Sequence, residues 1–305
     1  MSANRNPGAA ARERRGFWLA NRWLILRRAT QLGVFLLFAG GPWLGVWIAK
    51  GTLASSMTLD VLPLSDPLII LQSLVARHVP ETLALVGAGI VLATYMLVGG
   101  RVYCSWVCPV NPVTDLAAWL RRKLDIGKGW ALKPSARYWF LAGVLAASAL
   151  TGTIAFELVN PITTIYRNLL FGISWGLSLL AMIFLFDLFV ARNGWCGHLC
   201  PVGAFYGLLN TAGLLRVTAR GRERCDDCMD CYAVCPEMHV ISPALKAKGD
   251  ASPIIANRDC TSCGRCIDAC PERVFAFTHR FDLRIDGRPP PEEHSACPQP
   301  LEKVA

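Results

Sequence analysis

The chain has 305 residues, 53% of them hydrophobic and only 17% charged, with ten Trp and a positive mean hydropathy. That balance excludes an ordinary soluble globular protein, which carries more charge. The net charge of +9 does not indicate nucleic-acid binding either, because Lys and Arg flank the apolar blocks and form no basic stripe among exposed aromatics.

Residues 1–28 form a basic N-terminal segment with seven Arg (Arg5, Arg12, Arg14, Arg15, Arg22, Arg27, Arg28). Its Arg14-Arg15-Gly16-Phe17-Trp18 string resembles a twin-arginine export signal. The apolar block behind it is long, lacks a convincing cleavage site and is followed by three more, so it reads as an anchor. Four apolar blocks have the length a bilayer demands: residues 29–49, 82–100, 138–156 and 168 to about 191. Arg101, Arg121, Arg122, Lys123, Lys128, Lys133 and Arg137 fill the second connection, whereas Lys50 and Arg77 are alone in the first and Arg167 in the third. The positive-inside rule then predicts a multi-pass protein of the bacterial inner (cytoplasmic) membrane with both termini in the cytoplasm. Between the first two blocks lies Pro67–Val79, too short to span. It predicts an interfacial or re-entrant helix on the outer face, with Asp66 as N-cap and Pro67 at the first helical position.

A motif recurs after the second and fourth blocks: Tyr103-Cys104-Ser105-Trp106-Val107-Cys108-Pro109-Val110 and Trp195-Cys196-Gly197-His198-Leu199-Cys200-Pro201-Val202. A half-apolar helix is expected after each, over Pro112–Leu124 behind an Asn111 cap and over Val202–Leu215. The membrane part, residues 29–217, thus reads as an all-α, four-helix bundle with an internal two-fold repeat. Cys residues four apart share one face of a helix. Paired by pseudo-symmetry, Cys104, Cys108, Cys196 and Cys200 would bind an iron–sulfur cluster or another metal, or act as redox thiols near a quinol; reduced structural thiols are the bland alternative. Ionisable or polar groups at membrane depth are functional candidates, which singles out Asp187, and behind it Glu157, Asn160, Gln72 and His78.

Residues 225–236 read CDDCMDCYAVCP and residues 260–271 read CTSCGRCIDACP, both Cys-x2-Cys-x2-Cys-x3-Cys-Pro. This is the bacterial ferredoxin spacing for [4Fe-4S] clusters, in which the fourth Cys of each run serves the other cluster. One cluster would take Cys225, Cys228, Cys231 and Cys270; the other Cys260, Cys263, Cys266 and Cys235. Zinc knuckles use separated Cys pairs, and disulfide staples rarely repeat a spacing so regularly. Gly264 suits a loop that must approach its cluster closely. Residues 218–280 therefore predict a small 2[4Fe-4S] ferredoxin-like α+β domain, and residues 281–305 a disordered tail in which Cys297 is idle.

Gly41-Pro42-Trp43, Cys104-Ser105-Trp106-Val107-Cys108-Pro109, Gly194 to Ala204 (GWCGHLCPVGA) and the two ferredoxin runs together resemble the NapH family, ferredoxin-type membrane subunits of periplasmic nitrate reductase systems. The likeness runs from about Trp18 to Phe277. It implies quinol oxidation in the membrane, alongside a NapG-type periplasmic iron–sulfur partner. Electrons would pass to a membrane-anchored or periplasmic c-type cytochrome and on to the reductase, with this chain an electron-transfer subunit of a quinol dehydrogenase rather than a stand-alone enzyme. The related MauN proteins and oxidase-accessory proteins share the motifs. They imply an alternative, a maturation or assembly factor supplying reducing power for a partner's metal centre.

Overall fold

The computed structural model describes residues 6–127, 129–130, 133–172, 176–246 and 252–282. Cys297 and nearly all of the predicted tail lie outside these residues.

Helices α1 (Ala9–Ala20) and α2 (Arg22–Leu44) follow one another through Asn21. The α2 helix starts well before the predicted span because the Cys-rich domain caps it. The backbone amides of Trp23 and Leu24 donate to the two carboxylate oxygens of Asp268 at 3.3 and 2.9 Å. A carboxylate there satisfies orphan amides and opposes the helix dipole. Three short strands follow, for which the sequence reading has no counterpart: β1 (Ala49–Gly51), β2 (Ser55–Thr58) and β3 (Leu62–Ser65). They form an antiparallel meander, with Lys50 opposite Met57 and Met57 opposite Pro63. Leu59 and Asp60, both at positive φ, turn the chain between the last two strands.

Helix α3 (Pro67–Val75) begins as its cap predicts, with the Asp66 carboxylate accepting from the Leu68 amide at 2.9 Å. Helix α4 (Thr82–Val98) carries the second predicted span, α5 (Val102–Trp106) the first Cys motif, and α6 (Val110–Lys123) the helix after it. Asn111 lies inside α6 and caps nothing. Its side chain instead accepts from Arg28 and Gln31 of α2, each at 3.3 Å. The third predicted span is α7 (Ala136–Thr151). The fourth is divided into α8 (Pro161–Phe171) and α9 (Gly176–Leu185), the latter running into a π turn over Phe186–Val190. Asn160 starts α8 by accepting from the Ile162 amide at 3.1 Å.

Among the described residues one helical stretch, Ala9–Leu44, is both long and apolar enough to cross a membrane; Thr82–Val98 and Gly176–Val190 are apolar but shorter. Seventeen residues of α4 rise about 26 Å, just under the ~30 Å of a hydrocarbon core.

The second Cys motif forms another π turn, Trp195–Leu199, and leads into α10 (Pro201–Leu209). This helix stops before the predicted Leu215 because the chain there becomes β4 (Leu215–Thr218), paired antiparallel with β5 (Ala276–His279). The two strands bring both ends of the Cys-rich domain together around α11 (Asp230–Val234), α12 (Ile241–Lys246) and α13 (Arg265–Ala269). Val217, Val240, Ile241, Ile255, Ile267, Val274 and Phe275 form its core. The two Cys runs share a backbone path. Asp227 and Ser262 are left-handed at φ 56° and 46°, and Met229 and Gly264 at φ 63° and 73°.

Candidate functional site

Twelve cysteines are described, and none forms a disulfide. They gather into three sets. Cys225, Cys228, Cys231 and Cys270 line one small cavity with Tyr232, Val274 and Phe275. Burial, and then the neighbouring Cys225, Cys228 and Cys270, push the Cys231 thiol up. In the second set, burial followed by Cys263 and Cys260 raises the Cys235 thiol, and Cys263, Cys235 and Cys260 act likewise on Cys266. The fourth Cys of each run thus lies near the first three of the other. In the third set, Cys196 feels Cys200, Cys108 and Cys104, so the two Cys-x3-Cys-Pro motifs meet.

The donor chemistry fits iron–sulfur clusters. Among the described residues no three His, Cys, Asp or Glu side chains converge closely enough for a single metal ion. A zinc ion with bonds of about 2.3 Å draws its sulfurs together, whereas a cube with four irons needs them spread. Backbone amides also point at thiols: Val274 donates to Cys270 Sγ and Gly203 to Cys200 Sγ, each at 3.5 Å.

The thiols of the third set are held by polar groups of α2. Gln31 Nε2 donates to the Ser105 carbonyl at 2.9 Å, and Thr30 Oγ1 to the Trp106 carbonyl at 3.1 Å. Asp187, wholly buried, accepts from the Trp195 amide at 2.9 Å and so fixes the entry to the second motif. Cys196 Sγ points at Thr114 Oγ1 of α6, 3.8 Å away.

This thiol set abuts the second ferredoxin run directly. Ser105 Oγ donates to the Thr261 carbonyl at 2.8 Å, and Trp106 Nε1 to the Ser262 carbonyl at 3.1 Å. Asn210 at the end of α10 donates to the carbonyls of Arg258 and Cys260, both at 2.9 Å. A buried ionic seam lies beside these bonds. Arg101 Nη1 donates to Glu237 Oε1 at 2.9 Å and to the Asp259 carbonyl at 2.6 Å. Arg137 Nη1 donates to the same Glu237 oxygen at 2.7 Å and to the Gly197 carbonyl at 3.0 Å. Its Nη2 pairs with Asp259, which also meets His239 Nε2 at 3.0 Å. Burial opposes ionisation of Asp259, but the His239 bond and the charges of Arg137 and Arg101 outweigh it and hold the carboxyl below its usual range.

None of the seam residues stood out in the sequence as a site residue. Arg101 and Arg137 read there as topology charges alone; their signal was their position, each at the edge of an apolar block and beside a Cys motif in space. Glu237 and Asp259 flank Cys235 and Cys260 in sequence, a second signal. Gln72, Asn160, Glu157 and His78 are kept elsewhere. Gln72 Oε1 accepts from Ser148 Oγ at 3.3 Å and from the Phe156 amide at 3.2 Å. Ser148 lies about 16 Å along α7 from Arg137. Asn160 donates to Glu157 at 3.0 Å, and His78 Nε2 meets the Gly152 carbonyl at 2.9 Å.

The 4Fe-4S binding domain family matches residues 81–127 and 171–221, each span holding one Cys-x3-Cys-Pro motif, and the 4Fe-4S dicluster domain family matches residues 224–274. The chain is similar to the ferredoxin-type protein NapH of Haemophilus influenzae, 48% identical over 92% of this chain and 98% of the relative. NapH of Escherichia coli is 48% identical over 91% and 96%. The methylamine utilization ferredoxin-type protein MauN of Paracoccus denitrificans is 53% identical over 89% and 95%. No solved structure matches the chain.

Proposed function

The chain belongs to the family of ferredoxin-type iron–sulfur proteins that holds NapH and MauN, and on that premise we propose that it is a four-span inner-membrane subunit that takes part in quinol oxidation. Its electrons go towards a periplasmic nitrate reductase, with a NapG-type iron–sulfur protein and a c-type cytochrome as partners. Residues 29–217 form the membrane domain and residues 218–280 the ferredoxin-like domain on the cytoplasmic side. Exposed Leu36, Val86, Leu150, Met182 and Phe189, one or more on each long apolar helix, suit lipid contact better than water.

Cys225, Cys228, Cys231 and Cys270 would hold one [4Fe-4S] cluster, and Cys260, Cys263, Cys266 and Cys235 the other. Cys104, Cys108, Cys196 and Cys200 would hold a further cluster. When bound, such groups supply one-electron carriers. The chain's own residues do the rest: Arg101 and Arg137 neutralise charge at the four-thiol site, and Asp187, Gln31 and Thr30 fix its loops. The Trp106–Ser262 hydrogen bond is the observation that carries the reading. It sets the four-thiol site directly against the second ferredoxin run, the proximity on which electron transfer between the two would depend.

A second reading has its own support, since MauN relatives are as similar as NapH relatives. In it the chain supplies reducing power for building a partner's metal centre. A deletion strain separates the two. If the partner reductase keeps its full cofactor content but loses quinol-dependent electron supply, the relay stands. If the partner lacks its metal centre while a quinol analogue leaves this chain's clusters oxidised, the maturation reading replaces it.

A further inference from the structure

A cavity of about 570 Å³ lies where α1, α2 and α6 meet the ferredoxin-like domain, outside the thiol sets themselves. Its walls carry Arg12, Arg27, Arg28, Arg122, Arg192 and Arg265 against only two carboxylates, Asp115 and Asp268. Six positive charges less two negative leave an excess of four. Asp115 is already shared, accepting from Arg28 and Arg265 and lying 3.7 Å from Arg27. Cys263 and Cys235 attract Arg27, Arg192 and Arg265 from behind. No thiol is among the causes acting on Arg122, which burial lowers first, followed by Arg265, with Asp115 opposing.

Arg27 adds its charge from behind the wall. It is 1% exposed, and its Nε and Nη1 have no hydrogen-bond partner among the described residues. The Nε atoms of Arg192 and Arg265 are in the same condition. Arg12, Arg28, Arg122, Arg192 and Arg265 are only part-buried and line the cavity itself, and so many guanidinium groups around one space call for an anion with many oxygens. Phosphate is the group that arginine forks bind best.

The mouth of the cavity adds a second requirement. Leu24, Leu116 and Trp119 line it and are exposed, and Arg27 and Arg28 directly precede the first membrane span. A basic recess with apolar lips at this depth suits a headgroup whose acyl chains continue into the bilayer. We propose that this cavity binds the phosphate headgroup of an anionic phospholipid, seated between the membrane domain and the ferredoxin-like domain. The site would make docking of the two domains depend on the lipid. The inference rests on the membrane reading above.

The test uses the full-length holoprotein, purified in mild detergent, and its R27Q/R122Q variant, with native mass spectrometry against added cardiolipin, phosphatidylglycerol, phosphatidylcholine and inorganic pyrophosphate. The wild type is expected to retain the anionic lipids over phosphatidylcholine, the variant to retain them about tenfold less, and pyrophosphate to leave the bound lipid in place. Unchanged iron content and cluster absorption in the variant show that it is folded. Equal retention by both proteins, or no preference for anionic lipid, overturns the site. Arg27-dependent binding of pyrophosphate that displaces the lipid assigns the cavity to a soluble phosphate compound and overturns the lipid. Fractionation separates the premise: a chain released from membranes by carbonate wash fails the membrane reading itself.

Discussion

Arg137 and Glu237 meet through a 2.7 Å bond in the interior, with side chains 0% and 3% exposed. Arg137 opens the third apolar helix and Glu237 follows the fourth Cys of a ferredoxin run, so this pair fastens one domain to the other. The same Glu237 oxygen also receives Arg101. Two guanidinium groups therefore share one carboxylate, and Arg137 pairs with Asp259 besides.

Replacing Glu237 by Gln should consequently cost more than a surface pair would. It leaves two buried cations under-compensated, and breaking a buried pair costs about 3–5 kcal/mol. The expected outcome is a clear drop in melting temperature and faster proteolysis between residues 209 and 225, with Lys246→Gln, at a partly exposed pair with Asp227, changing little. Equal behaviour of the two variants would contradict the seam.

The proposed crossed ligand sets predict a grouping of spectra. Cys235→Ser should alter the same EPR signal as Cys260→Ser, and Cys270→Ser the same as Cys228→Ser. Cys235→Ser grouping with Cys228→Ser would reverse the wiring. Iron analysis supplies a further check. Two clusters give about eight irons per chain and a third raises this to about twelve; Cys104→Ser and Cys196→Ser should each remove the excess alone.

Gly264 sits at φ 73°, and an added Cβ would lie 2.7 Å from the Trp23 ring. Gly264→Ala combines backbone strain with a clash against the first turn of α2. A loss of about 1–3 kcal/mol follows, together with a shift of the EPR signal assigned to Cys260, Cys263 and Cys266. At the matching position of the first run, Met229→Gly should leave both clusters intact.

Asp66 carries a pH dependence of its own. Burial, and more weakly Glu157, raise its carboxyl to about 6 despite the Leu68 amide. Its folded value lies above the unfolded ~3.9. The folded state therefore binds the extra proton, and its stabilising contribution is present at low pH and lost as pH rises through about 6. The melting temperature should fall between pH 5 and pH 7.5, by the equivalent of about 1 kcal/mol. Asp66→Asn keeps a capping side chain and should flatten that slope; an unchanged slope would assign it to another group.

The parts of the architecture that repeat a spacing were legible in the sequence. Both ferredoxin runs, both Cys-x3-Cys-Pro motifs and the Asp66 cap of α3 are local patterns, and local patterns survive folding. What escaped was non-local. Nothing near Arg22 predicts that α2 begins there, because its cap, Asp268, is far along the chain. The β1–β3 meander is built of strands too short to show alternation, with Pro63 inside one of them. Gly264 was assigned to cluster approach, yet the group that fills its space is Trp23. Arg101 and Arg137 carried a topological signal strong enough to hide their partners.

The most direct measurement is the reduction of the clusters by a quinol analogue in anaerobic proteoliposomes, followed by EPR, for the wild type and for Cys104→Ser. A relay through the four-thiol site predicts reduced-cluster signals in the wild type, and their loss in Cys104→Ser while dithionite still reduces both ferredoxin clusters. Quinol that reduces the variant's clusters as fast as the wild type's, or reduces neither, would contradict it.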